Sequence, residues 1–122
     1  NLETIERLTP LVRSVSRYRR SLEVIRQIAS SGIVAKSGIM IGLGETPGEI
    51  LQTMDDLRNA GCRVMTIGQY LAPTKEHMSV VEYFPPEYFE QLNKLGISKG
   101  FSFVESSPLV RSSYRAALHV TA

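Results

Sequence analysis

Apolar residues recur along the chain with two alternating periods, and the alternation predicts helices and strands in turn. Leu22, Val24, Ile25 and Ile28 stand close to helical spacing, which predicts a helix over 21–28. Ser30, Ser31 and Gly32 end it, and Gly32 suits the left-handed position that closes a helix. Ile33 to Ile41 is short, apolar and β-branched, the pattern of a buried strand. Gly42, Gly44 and Pro47 break it. Thr46 then reads as an N-cap, with Pro47 at the first helical position and Glu49 three residues on, the arrangement of a capping box. Ile50, Leu51, Met54 and Leu57 form the apolar stripe of this second helix, and Gly61 stops it. Val64 to Gly68 is a further short apolar strand. Strand, helix and strand in this order predict a parallel pair with a right-handed crossover.

A long polar loop runs from Leu71 to Val81. Pro85, Pro86 and Glu87 open a third helix, expected to run to about Leu95 and to end at Gly96. Phe101 to Val104 is read as a last strand, and Ser106 to Ala116 is rich in Ser and Arg without a clear period. Two helix–strand pairs with an appendage do not close a β/α barrel, which typically takes eight units in ~250 residues. The chain is thus either a small open α/β domain or a slice of a larger one.

Composition narrows the partners. The 122 residues are 43% hydrophobic and 21% charged, as in an ordinary globular protein rather than a disordered one. A net charge of +2 gives no case for nucleic acid. The tightest basic cluster, Arg17, Arg19 and Arg20, reads as a solvated helix start. One cysteine, Cys62, excludes a disulfide framework and any Cys-rich metal site built from this chain alone, and is read as a small buried thiol. A single thiol fits a reducing, cytosol-like compartment. No apolar run approaches the ~20 residues that span a membrane. The chain begins with Asn rather than Met, so a fragment or a processed form is expected.

Three segments could carry chemistry. Gly38 to Glu45 lies at the carboxyl end of a predicted strand, where ligands of parallel sheets sit, and its glycines permit close backbone approach. A purely structural strand–turn–helix junction gives the same pattern. The spacing fits neither a dinucleotide nor a phosphate-loop fingerprint. Gly68-Gln69-Tyr70-Leu71 ends the next strand on the same side of the sheet; its Gln and Tyr can meet a ligand or simply pack. Pro108 to Ala116 places Ser112 and Ser113 between arginines, to cap a helix or bind an anion. His77 and His119 lie far apart with no motif around them.

Together these segments resemble the lipoyl synthases, a radical S-adenosylmethionine (SAM) family. The family carries H-N-x-E-T, K-S-G-x-M-x-G-L-G-E, G-Q-Y-L-x-P and R-S-S-Y-x-A in that order. Here stand Asn1-Leu2-Glu3-Thr4, Lys36-Ser37-Gly38 through Glu45, Gly68-Gln69-Tyr70-Leu71-Ala72-Pro73, and Arg111-Ser112-Ser113-Tyr114-Arg115-Ala116. The resemblance implies an α/β fold, the C-terminal part of a radical SAM partial (β/α)6 barrel over 1–104, with a C-terminal extension over 105–122. It implies that Asn1 and Glu3 end the fourth strand, Gly38 to Glu45 the fifth and Gln69 to Leu71 the sixth. By similarity Asn1, Glu3, Gly38, Gly42, Gly44, Glu45, Gln69, Tyr70 and Leu71 surround SAM.

The resemblance further implies that Ser113 ligates an iron of an auxiliary [4Fe–4S] cluster. Oxygen is a poorer iron–sulfur ligand than thiolate, which suits a cluster that gives up sulfide. In the family a first [4Fe–4S] cluster cleaves SAM, the resulting radical abstracts hydrogen from an octanoyl chain on a lipoyl-domain protein, and the auxiliary cluster supplies sulfur at C6 and C8. The expected partners are octanoylated lipoyl-domain proteins and the N-terminal half of the same enzyme, with no nucleic acid and no membrane. The expected location is the cytoplasm, or an organelle matrix in a eukaryote.

The chain departs from the family pattern upstream. The C-x3-C-x2-C and C-x4-C-x5-C motifs are not in it, so the piece by itself is expected to be inactive and to hold no cofactor stably. Ser107 stands where many relatives have Gly, and Arg115 where many have His. The alternative is a non-catalytic α/β binding domain derived from a radical SAM barrel; cysteine motifs encoded immediately upstream would decide against it.

Overall fold

Three strands carry the fold: β1 (Lys36–Ile41), β2 (Val64–Gln69) and β3 (Phe103–Ser106), in the order β1-β2-β3 and all parallel. The computed structural model describes residues 2–12 and 18–110. A 3-10 turn (Glu6–Leu8) leads into α1 (Thr9–Val12), and α2 (Tyr18–Ser30) precedes β1. Helices α3 (Pro47–Asn59) and α4 (Pro86–Ser98) connect the strands, as parallel pairing requires. A further parallel bridge, Glu3 to Ile39, extends the sheet beyond β1. The Glu3 N–H donates to the Gly38 carbonyl (3.1 Å), and the Met40 N–H donates to the Glu3 carbonyl (2.9 Å).

The register sets Ile39 and Ile41 of β1 beside Ile67 and Gln69 of β2. Ile39, Ile41, Met65 and Ile67 meet Leu22 and Ile25 of α2, Ile50, Met54 and Leu57 of α3, and Phe89 and Leu92 of α4 in one core. Each large aliphatic side chain so buried contributes roughly 1.5–3 kcal/mol. The predicted capping box is formed. Thr46 Oγ1 accepts from the Glu49 N–H (3.2 Å), and the Glu49 carboxylate accepts from the Thr46 N–H (2.9 Å). All six residues of β2 are buried, as befits the central strand.

Several element ends differ from the sequence expectation. Helix α2 already includes Tyr18, ahead of the predicted Ser21, and the buried Tyr18 side chain joins the core. Strand β1 starts at Lys36; Ile33 is 64% exposed and outside the sheet. Helix α4 runs through Gly96 to Ser98. A Cβ at Gly96 would lie 2.9 Å from Val104 Cγ2, so this glycine lets the helix settle onto β3 rather than ending it. The chain turns instead at Gly100, whose φ is +105°. Strand β3 therefore begins at Phe103, two residues later than expected, after Phe101 has entered the core. Among the described residues no helix is long and apolar enough to cross a membrane.

Candidate functional site

The segments that leave the carboxyl ends of the strands meet at one rim. Ile5 and Leu8, Leu43 and Tyr70 pack in a small apolar cluster of their own with Met40, Met78 and Val80. The cluster joins the stretch after Glu3, the loop after β1 and the segment after β2. Ligands of parallel α/β sheets bind at such a rim.

The loop after β1 is glycine-dependent. Gly42 and Gly44 have φ of +106° and +103°, which a side chain would strain. The Glu45 carboxylate folds back onto this loop. It accepts from the Gly42 N–H at 3.0 and 3.1 Å and from the Leu43 N–H at 3.1 Å. Successive N–H groups of this kind form a concavity for an anion, and here the chain fills it with its own carboxylate. Burial pushes the Glu45 carboxyl above its ordinary value, outweighing those backbone bonds. Arg7 braces the loop from outside. Its guanidinium donates to the Gly44 carbonyl (3.1 Å) and forms a fork with Glu49 (2.8 and 3.0 Å). That fork, with the Thr46 N–H, holds the Glu49 carboxyl down at about 2.

At the end of β2 the side chains of Gln69 and Tyr70 are engaged by the protein itself. Gln69 is buried, and its Nε2 donates to the carbonyls of Tyr70 and Glu82, each at 3.0 Å. Its Oε1 accepts from the Phe84 N–H at 3.0 Å. The Tyr70 hydroxyl donates to the Met78 carbonyl at 2.7 Å. Leu71, at 45% exposure, is the open member of this trio.

On the Glu3 side the backbone is strained. Glu3 has φ +70°, the one non-glycine residue with positive φ among the described residues. Such strain gathers at binding and catalytic positions. The Thr4 hydroxyl beside it is fully buried with no hydrogen-bond partner. Elsewhere, a cavity of about 300 Å³ lies between the 3-10 turn, α2 and α3, lined by Glu6, Arg7, Tyr18, Glu49, Gln52, Thr53 and Asp56. Its charged groups are already paired: Arg7 with Glu49, Glu6 with Arg19, and Asp56 with the Tyr18 hydroxyl.

No protein-family model matches the chain. Among curated proteins it is 62% identical over 120 residues to a lipoyl synthase of Treponema denticola, covering 98% of this chain and 41% of that protein. Over the stretch matched, the chain is similar throughout to lipoyl synthases. A Bacteroides fragilis lipoyl synthase is 58% identical (98% of this chain, 42% of the relative), and one from Porphyromonas gingivalis is 59% identical over 121 residues (98% and 43%). The chain thus spans about two fifths of the length of these lipoyl synthases.

Of the positions singled out in the sequence, the structure brings Glu3, Gly42, Gly44, Glu45, Gln69, Tyr70 and Leu71 to the rim. Gly38 lies within β1, before the strand end. It lies opposite Thr66 in the register, and a Cβ there would lie 2.0 Å from Thr66 Oγ1. Asn1, Arg17, Ser112, Ser113 with the rest of the R-S-S-Y segment, and His119 lie outside the described residues. Cys62 is a buried thiol, as expected; it donates to the Val64 carbonyl (3.2 Å), and burial pushes it up to about 11. His77 is exposed, 2.8 Å from the Thr74 hydroxyl. Arg7, Glu49 and Glu82 went unnoticed as site-forming residues. Arg7 and Glu49 are 42 positions apart, and no local pattern announces such a pair.

Proposed function

We propose that the chain is the C-terminal portion of a lipoyl synthase, and that the whole protein inserts sulfur at C6 and C8 of a protein-bound octanoyl-lysine to give lipoyl-lysine. The observation that carries this is the 62% identity over 98% of the chain with a protein named lipoyl synthase. The parallel strand ends gathered at one rim are consistent with it. In this proposal residues 1–104 are part of a radical SAM (β/α)6 barrel, residues 105–122 are an extension, and the remaining strands come from upstream in the same protein. The substrate is an octanoylated lipoyl-domain protein, and the compartment is the cytoplasm, or an organelle matrix in a eukaryote.

The described residues fit SAM better than they fit an iron–sulfur cluster. Gly44 is exposed, and a Cβ there would touch only Val81 Cγ2, at 3.7 Å, so a planar ligand can approach its backbone. Glu3 offers a carboxylate at the neighbouring strand end, and Leu71 an open apolar side chain. These residues would hold SAM, whose chemistry when bound is hydrogen abstraction from an unactivated carbon. Among the described residues no three His, Cys, Asp or Glu side chains are grouped to hold a metal. In this reading the cysteine ligands of the two [4Fe–4S] clusters lie upstream in the same protein, and Ser113 is proposed as an iron ligand of the auxiliary one.

Complementation tests the proposal. The full-length gene that encodes this chain should restore growth without lipoate to a bacterium lacking its own lipoyl synthase. Growth only when lipoate is added, with the protein expressed and soluble, would count against it.

A further inference from the structure

Gln69 sits where the strand-end pattern invites a ligand contact, yet its amide spends its hydrogen bonds on the protein. Two donors go to the carbonyls of Tyr70 and Glu82, and the oxygen takes the Phe84 N–H. The amide orientation is fixed by those partners, since a flipped amide would set its oxygen against two carbonyls. The segment so gripped also lies on the neighbouring strand end. The Val81 and Glu82 N–H groups reach the Gly42 carbonyl at 2.7 and 3.3 Å. A Cβ at Gly42 would lie 2.3 Å from Gln69 Nε2 and 2.5 Å from the Glu82 carbonyl.

We infer that Gln69 is a positioning residue that clamps the 81–84 segment across the ends of β1 and β2, making it a fixed wall of the rim site. The clamp explains three features together. Gly42 is confined from two sides, by Gln69 and by Glu82. Val81 stands beside Gly44, the one rim glycine left open. The preceding stretch, Leu71 to His77, is exposed throughout, so the wall keeps its place through its anchors rather than through burial. Besides the clamp those anchors are the Tyr70 hydroxyl on the Met78 carbonyl and the Phe84 ring stacked on Tyr88 at 4.4 Å. The buried amide has no water to fall back on, so each of its bonds is costly to lose.

The inference rests on the proposed function for the identity of the ligand, SAM, but not for the clamp itself. The test uses the full-length protein, loaded with its clusters, as wild type and as Gln69→Glu and Gln69→Met. Gln69→Glu keeps the shape and replaces two donors with an oxygen facing two carbonyls; Gln69→Met removes the polar contacts without adding charge. The first readout needs no ligand: limited trypsin cleavage at Lys75 should speed up at least about tenfold in both variants. The second is SAM-dependent 5′-deoxyadenosine formation. KM for SAM should rise on the order of tenfold with kcat at saturating SAM little changed, because the wall shapes binding and does not touch the reacting atoms. Unchanged cleavage at Lys75 in Gln69→Glu overturns the clamp. Faster cleavage with an unchanged KM overturns its link to the site, and so does a loss confined to kcat. A wild-type protein that neither binds nor cleaves SAM overturns the proposed function instead, while the proteolysis result still decides the clamp.

Discussion

Gly38, Gly42 and Gly44 stand within one short segment and answer to different constraints. Gly38 has no unusual φ; it is glycine because Thr66 of the neighbouring strand occupies the space of a Cβ. Gly42 needs both its positive φ and its missing side chain, whereas Gly44 needs the φ and keeps open space beside it. Gly38→Ala should therefore destabilise the protein by about 1–3 kcal/mol through overpacking in a buried β1–β2 contact. Denaturant unfolding of the full-length protein measures this, and an unchanged midpoint would show that Thr66 gives way freely. Ser113 belongs to the same scale, although it rests on the family resemblance alone. In the full-length protein Ser113→Ala should leave 5′-deoxyadenosine formation largely intact and reduce lipoyl product severely, with Ser112→Ala as the control. Equal lipoyl yields from Ser113→Ala and wild type would refute the assigned ligand.

Among the elements, α3 was the most legible in the sequence because its signals are local. Thr46, Pro47 and Glu49 announce its start, Ile50, Met54 and Leu57 its buried stripe, and Gly61 the turn after it. The ends that differ from the sequence expectation depend on tertiary contacts. Gly96 looks like a stop until Val104 packs over it, and Ile33 looks like strand until pairing begins at Lys36. The site followed the same division. Strand-end glycines could be read as such, but the Gln69 clamp joins residues up to 15 apart and the Arg7–Glu49 fork joins residues 42 apart. That fork gives α3 a pH dependence. The folded Glu49 carboxyl is held at about 2, below its ordinary 4.5, so its contribution is complete above about pH 4.5 and is lost as pH falls toward 2. Both side chains are partly exposed, so solvent screening keeps the effect small. The stability gap between wild type and Glu49→Gln should thus narrow on acidification from about pH 5 to about pH 2. A gap that stays constant over this range would place the role of Glu49 outside its charge.

At the scale of the molecule, the chain is a run of parallel βαβ units with a strand-like bridge at Glu3 on one side and β3 on the other. The alternating pattern of helix and strand made this run legible, whereas nothing in periodicity separates a small open sheet from a section of a barrel. The likeness to lipoyl synthases, which are more than twice as long, favours the section. In the proposed reading the rim is one sector of a site completed from upstream, with Glu3, Gly44 and Leu71 as the proposed SAM contacts and Gln69 as the proposed clamp of the wall. The most direct measurement is mass spectrometry of an octanoylated lipoyl-domain protein after anaerobic incubation with the cluster-loaded full-length protein, SAM and a reductant. The predicted product carries sulfur at both C6 and C8, with 5′-deoxyadenosine formed alongside it. An octanoyl group left unchanged while SAM is cleaved, in a protein with both clusters in place, would contradict the assignment.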